Sequence, residues 1–265
     1  MEERAANSPN SKIFWGTLIL LLLRFPLLYA ASMFDSFYII GFVLYMCGTY
    51  VVTGIVLYQN RHFLYCCNIT WVAIALFLGT PLLAAVSGQY YSDPTVWVRL
   101  AASCVFGVLF YRKRHSFQVQ KMEKKSILPN VLITLVLCIA VPFAIHAVRG
   151  FPSVAGGGGY SIPDSLIFQL STAAMSEEPL FRGFLWGFLI SKKLPPGLVC
   201  IIQAALFWIG HIYYIGTGIN FWLIHPLVAL TLGLLVWKTK SITHTMVLHT
   251  CINAITDYLR VVPFF

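Results

Sequence analysis

The sequence predicts an all-α fold, a polytopic transmembrane helix bundle of about nine spans with eight as the nearest alternative, and three observations carry that expectation. Of 265 residues, 58% are hydrophobic and only 10% charged, with a mean hydropathy of +0.79. A soluble domain of this size has too little interior to hide so much apolar surface. Apolar runs follow one another along the whole chain, and the longest polar stretch between them is about fifteen residues, too short for a separate soluble domain. The basic residues fall in alternate loops between the runs. A net charge of +9 would by itself suit a nucleic-acid binder. Charges placed between apolar runs instead orient a chain in a bilayer, so lipid is the expected surroundings and nucleic acid is not an expected partner.

Residues 1–12 are polar, and the apolar runs are 13–33, 37–58, 64–86, 95–111, 127–148, 163–190, 197–215, 219–237 and 242–259. At about 1.5 Å per residue each reaches across roughly 30 Å of hydrocarbon, the shortest two only just. The first run is long for a signal peptide and contains Arg24 and Pro26, so a retained helix is expected. With the N-terminus in the cytoplasm, 13 of the 18 basic residues face the cytoplasm, chiefly in the loop 112–125. Arg149 and Arg260 fall outside, while Arg24, Arg99 and Arg182 lie within runs. The C-terminus is then external. Residues 1–148 form an N-terminal unit of five spans, and 163–260 a second unit of four. The segment 156–159 is all glycine and reads as an external tether. It is no phosphate loop, because no Lys-Ser/Thr follows it. The seven cysteines lie in or beside apolar runs without a CxxC pair and read as small buried hydrophobes.

The run 163–190 contains Ser176-Glu177-Glu178-Pro179-Leu180-Phe181-Arg182-Gly183. Charged side chains at bilayer depth are costly, face the protein interior and mark function. Glu178 and Arg182 are four apart, share a helix face and can pair, which leaves Glu177 turned toward another partner. Pro179 removes a backbone hydrogen bond and clashes with the Met175 carbonyl, so a kink is expected beside the carboxylates. Gly183 and Gly187 make a face for close packing. Two later runs answer this one with Phe207-x-x-x-His211 and His249-x-x-x-Asn253, each pair on one helix face. Helical rise places Glu177 and His211 level, both about 20 Å from the cytoplasmic side, and His249 about 11 Å from the level of His211. As hydrogen-bond glue between helices, six such groups at matched spacings would be an expensive choice. His225, before Pro226, reads first as a kink histidine and second as a further site residue.

Glu177-Glu178-x-x-x-Arg182, Phe207-x-x-x-His211 and His249-x-x-x-Asn253, in that order and each in its own apolar run, resemble the three motifs of the CPBP family, the CAAX-protease and bacteriocin-processing (Abi) membrane proteins. These are related to the CAAX-prenyl endopeptidase of the eukaryotic endoplasmic reticulum. The resemblance covers about residues 163–260, the family's four-helix catalytic core. It implies an intramembrane endopeptidase acting on a membrane-associated or membrane-spanning peptide or protein. It also implies that Glu177 with His211 activates water, while His249 and Asn253 lie near the oxyanion. His211 is followed by Ile212-Tyr213-Tyr214, without the further histidines of the eukaryotic enzymes. A prenylated substrate is therefore not implied, and a prokaryotic plasma membrane is the expected location.

Peptide hydrolysis inside a membrane needs a water cavity, a general base and oxyanion donors, and these residues supply candidates for each. No cofactor is expected. The alternative is zinc held by Glu177, His211 and His249; against it, no HExxH helix motif is present and the two histidines are expected at different levels. Two readings from other classes stand beside the protease. One is a non-catalytic immunity or bacteriocin-tolerance factor. The other is a proton-coupled carrier, which an inverted repeat would favour and the sequence does not contain.

Overall fold

The computed structural model describes residues 15–16, 18–19, 35–87, 93–149 and 162–258. Most of the expected first span 13–33, the glycine tether 156–159 and the end of the last run lie outside these residues. All regular structure among the described residues is helical. The elements are α1 (Asp35–Gln59), α2 (Trp71–Val86), α3 (Pro94–Arg112), α4 (Lys124–Arg149), α5 (Ile162–Ser171), α6 (Ala173–Glu178), α7 (Trp186–Ser191), α8 (Pro196–Gly210), α9 (His225–Thr239) and α10 (Ile242–Tyr258). Their ends follow local chemistry. The Asp93 carboxylate accepts the Thr95 N–H at 2.8 Å and Pro94 occupies the first turn, which starts α3. Thr70 caps α2 by accepting the Ala73 N–H at 3.2 Å.

Three described helices, Pro94–Arg112, Lys124–Arg149 and Asn220–Thr239, are long and apolar enough to cross a membrane. Met46–Gln59, Trp71–Val86 and Pro196–Gly210 are shorter apolar helices. Helix α4 shows which solvent the bundle is built for. Its buried side carries Asn130, Thr134, Cys138, Pro142 and His146, while Leu128, Leu132, Val136, Ile139 and Phe143 are exposed. A helix with polar residues inward and large aliphatics outward fits a hydrocarbon surrounding, where polar groups find partners only within the protein.

Several runs expected as single helices are subdivided. Run 64–86 is helical only from Trp71, because residues 60–68 form turns, with Asn68 in the left-handed region at φ 54°. Run 197–215 leaves the α-helix at Gly210 and continues as the 3₁₀ turn Ile212–Thr217. Run 219–237 begins with the π-helical turn Asn220–Ile224. Run 163–190 is divided most. It breaks at Thr172 (φ −116°, ψ −92°), resumes as α6, widens into a π-helix over Pro179–Leu185 and ends as α7. The kink expected at Pro179 thus takes the form of a π-helix, the accommodation open to a chain that has lost one amide donor.

Helix α10 packs against α5, α4, α9 and α6, and α9 also packs against α8. These contacts bring the three motif-bearing segments together. Gly183 and Gly187 permit close approach, as their spacing suggested, but their partner is the turn at residues 66–69 and not another helix. A Cβ at Gly187 would lie 2.7 Å from Cys67 Sγ and 3.1 Å from the Cys66 carbonyl oxygen. The cysteines are free thiols; Cys47, Cys67, Cys138 and Cys200 are buried as expected, while Cys66 and Cys104 are exposed.

Candidate active site

Glu177, Glu178, Arg182, His211, His249 and Asn253 are all buried, although the helices that carry them also form the bundle's apolar interior. Glu178 is the hub. Its Oε1 accepts from Arg182 Nη1 at 3.1 Å, the i,i+4 pair expected from the sequence, and lies 2.8 Å from His249 Nδ1. Arg182 also donates from Nη2 to the Ala229 carbonyl at 3.3 Å, which ties the π-helix to α9. A buried carboxylate flanked by a guanidinium and an imidazole has its charge matched locally.

The His249 contact fixes where that ring's proton sits. A carboxylate facing a guanidinium only accepts, so Nδ1 of His249 donates and Nε2 is turned to the other carboxylate, 4.0 Å from Glu177 Oε2. His211 follows the same pattern. Its Nδ1 lies 2.7 Å from the Phe207 carbonyl, which also only accepts, so Nδ1 donates there and Nε2 is presented elsewhere. A water oxygen about 2.8 Å from each of two groups 4.0 Å apart fits at the apex above them.

Phe207 stands in the middle of the cluster. The Arg182 guanidinium lies 4.1 Å over its ring, the His211 ring is 4.3 Å away and the His249 ring 6.0 Å. Cation–π and edge contacts of this kind orient polar groups without giving them another acceptor. The two histidines thus flank one ring, although helical rise had set them at separate levels. Asn253 donates from Nδ2 to Gln169 Oε1 at 3.1 Å. Its amide has a second hydrogen, so this bond does not use up its capacity.

Three residues outside the sequence reading of the site also contribute, as does His225, its second-choice candidate. Gln169 holds Asn253. His225 is stacked beside the cluster, 5.4 Å from the His211 ring and 5.3 Å from Tyr214, and its Nδ1 lies 2.7 Å from the Asn220 carbonyl. The kink reading of His225 therefore captures its backbone setting and understates its position. Arg99 and Thr53 reach the backbone of the site segment from α3 and α1. Arg99 had a visible signal, a charge within an apolar run. Thr53 and Gln169 had none, since polar uncharged residues are common in membrane helices.

Helices with lipid-suited exteriors around a buried cluster of carboxylates, arginine and histidines define an integral membrane protein with a polar interior site. Residues 162–255, about a third of the chain, match the family described as type II CAAX prenyl endopeptidase Rce1-like. The segment that carries the three motifs is therefore similar to the CAAX-type intramembrane proteases, a family that implies protease activity. No curated protein and no solved structure matches the chain.

Proposed function

We propose that this protein is an intramembrane endopeptidase that hydrolyses a peptide bond in a membrane-associated or membrane-spanning substrate. The observation that carries the reading is the placement of His249 between two buried carboxylates, 2.8 Å from Glu178 and 4.0 Å from Glu177. In the mechanism, Glu178 and Arg182 hold the His249 ring with its Nδ1 proton fixed. Water is bound between Glu177 and His249 Nε2, and the His211 ring, held through Nδ1 by the Phe207 carbonyl, flanks the same site. Glu177 takes a proton from that water as the oxygen attacks the scissile carbonyl. The remaining amide hydrogen of Asn253 serves the developing oxyanion. The proton then passes from Glu177 to the leaving amine. This division differs from the one the resemblance implied, because His249 is engaged by the two carboxylates, Nδ1 at Glu178 and Nε2 facing Glu177, which leaves the oxyanion to Asn253.

The second reading is zinc held by Glu177, His211 and His249. It is favoured by the Nδ1 contacts of both histidines, since a metal-binding imidazole characteristically gives its other N–H to a carboxylate or carbonyl. Against it, ligands of one tetrahedral zinc lie about 3.3 Å apart, closer than the 4.0 Å found here. Among the described residues no three candidate ligands are grouped for a metal. We also infer nine spans with a cytoplasmic N-terminus, from the segregation of the basic residues, and a prokaryotic plasma membrane, from the lack of further histidines after His211.

The test compares membrane proteins from cells expressing wild type or Glu177→Gln, alongside cleavage of a fluorescence-quenched peptide ending in a farnesylated CAAX box. A fragment released only by wild type supports the protease and identifies its substrate. No difference in either assay would sink the protease and favour a non-catalytic tolerance factor.

A further inference from the structure

We propose that Thr53 and Arg99, from helices ahead of the family-matched segment, are positioning residues for the carboxylates: they hold the broken backbone that carries Glu177 and Glu178. For its kinetic consequence the proposal rests on the protease reading. Its physical content stands on hydrogen bonds alone.

The break at Thr172 interrupts the i to i−4 ladder and exposes carbonyls in the apolar interior, where each needs a donor. Local hydroxyls take some of them. The Phe168 carbonyl accepts from Ser171 Oγ at 3.0 Å and from Thr172 Oγ1 at 2.8 Å, and Ser176 Oγ donates to the Thr172 carbonyl. Two carbonyls, one on each side of the break, accept from other helices. The Ser171 carbonyl, last in α5, accepts from Arg99 Nη1 of α3. The Ser176 carbonyl accepts from Thr53 Oγ1 of α1 at 3.1 Å, a hydroxyl shared with the Thr49 carbonyl at 2.9 Å.

Both donors are built in. Thr53 and Arg99 are fully buried. Arg99 is fixed on its own helix before it reaches across, with Nε donating to the Thr95 carbonyl at 3.1 Å and Nη2 to Thr95 Oγ1 at 3.4 Å. The chemical consequence follows from which peptide each one holds. The Ser176 carbonyl belongs to the same peptide plane as the Glu177 N–H, so Thr53 sets the orientation of the plane from which Glu177 departs. Arg99 fixes the end of α5 and with it Gln169, the partner of Asn253. One pair of donors thus aligns the base with the amide proposed for the oxyanion. Neither touches the reacting atoms.

The experiment uses full-length protein in lipid nanodiscs. Thr53→Val keeps the shape and removes the donor; Thr53→Ser keeps the donor and removes a methyl; Arg99→Lys keeps the charge and removes the fork. Cleavage of the quenched farnesylated CAAX peptide should lose about tenfold in kcat in Thr53→Val with KM unchanged, and Thr53→Ser should restore it. Amide hydrogen exchange should rise across residues 172–185 in Thr53→Val and Arg99→Lys, with α8 and α9 unaltered. Wild-type exchange in Thr53→Val, or equal loss of kcat in the valine and serine variants, would overturn the proposal. If wild type does not cleave the peptide, exchange alone decides the positioning role, and only the protease reading has failed.

Discussion

Glu178 does two tasks, pairing with Arg182 as the sequence spacing suggested and also holding His249. Its removal should therefore be felt twice. Glu178→Gln keeps the shape but replaces a carboxylate oxygen where Arg182 and His249 both donate; cleavage should fall at least as far as in Asn253→Ala, and protein level should drop as well. Arg182→Ala strands a buried carboxylate, a change that costs about 3–5 kcal/mol, and immunoblots of membranes should show low accumulation. Glu177→Gln lies outside that ion pair. Accumulation should stay at wild-type level while turnover disappears, and turnover retained in this variant would remove the general base from the mechanism. Asn253→Ala should lower kcat about 10²- to 10³-fold with KM little changed, as loss of an oxyanion donor does.

At the scale of elements, the run 163–190 is the one whose irregularity matters most. A continuous helix there would satisfy its own carbonyls and would not need α1 or α3. The break at Thr172 and the π-helix at Pro179–Leu185 make it depend on neighbours: Thr53 and Arg99 on one side, the 66–69 turn against Gly183 and Gly187 on the other. Gly187→Ala forces a Cβ to within 2.7 Å of Cys67 Sγ. Overpacking of this kind costs about 1–3 kcal/mol, and the midpoint of thermal unfolding in detergent should fall accordingly. The matching change at Gly79, mid-helix in α2 where a Cβ meets nothing within 4 Å, should not lower the midpoint and should raise it slightly.

For the whole molecule, the exposed aliphatics and buried polar residues of α4 describe a surface made for lipid. Basic residues gathered in loop 112–125 set the expected orientation. A cysteine introduced at Gly158 should react with an impermeant maleimide added to intact cells, and one at Gln118 should not, in a background free of Cys66 and Cys104. Labelling at Gln118 would invert the topology. Metal content separates the two chemistries for the site as a unit. The metal-free mechanism expects activity to survive chelation and the purified protein to contain no stoichiometric zinc. One zinc per chain, with activity lost on chelation and restored by zinc, would move Glu177, His211 and His249 from water activation to metal ligation.

By itself the sequence determined what depends on composition and short spacing: an all-helical, membrane-suited chain, the Glu178–Arg182 pair, the irregularity at Pro179, and the motif residues as candidates. These follow from residue type and the 3.6-residue period, which need no knowledge of neighbours. Tertiary structure decided which groups meet. His211 and His249, on different segments, both flank Phe207. The 4.0 Å contact of Glu177 with His249 came from the docking of α10 on α6. Arg99 and Thr53 were legible only as a charge and a hydroxyl in apolar runs. Their roles arise 72 and 123 residues away in the chain, at carbonyls on either side of a helix break. No local spacing encodes that distance, and only packing closes it.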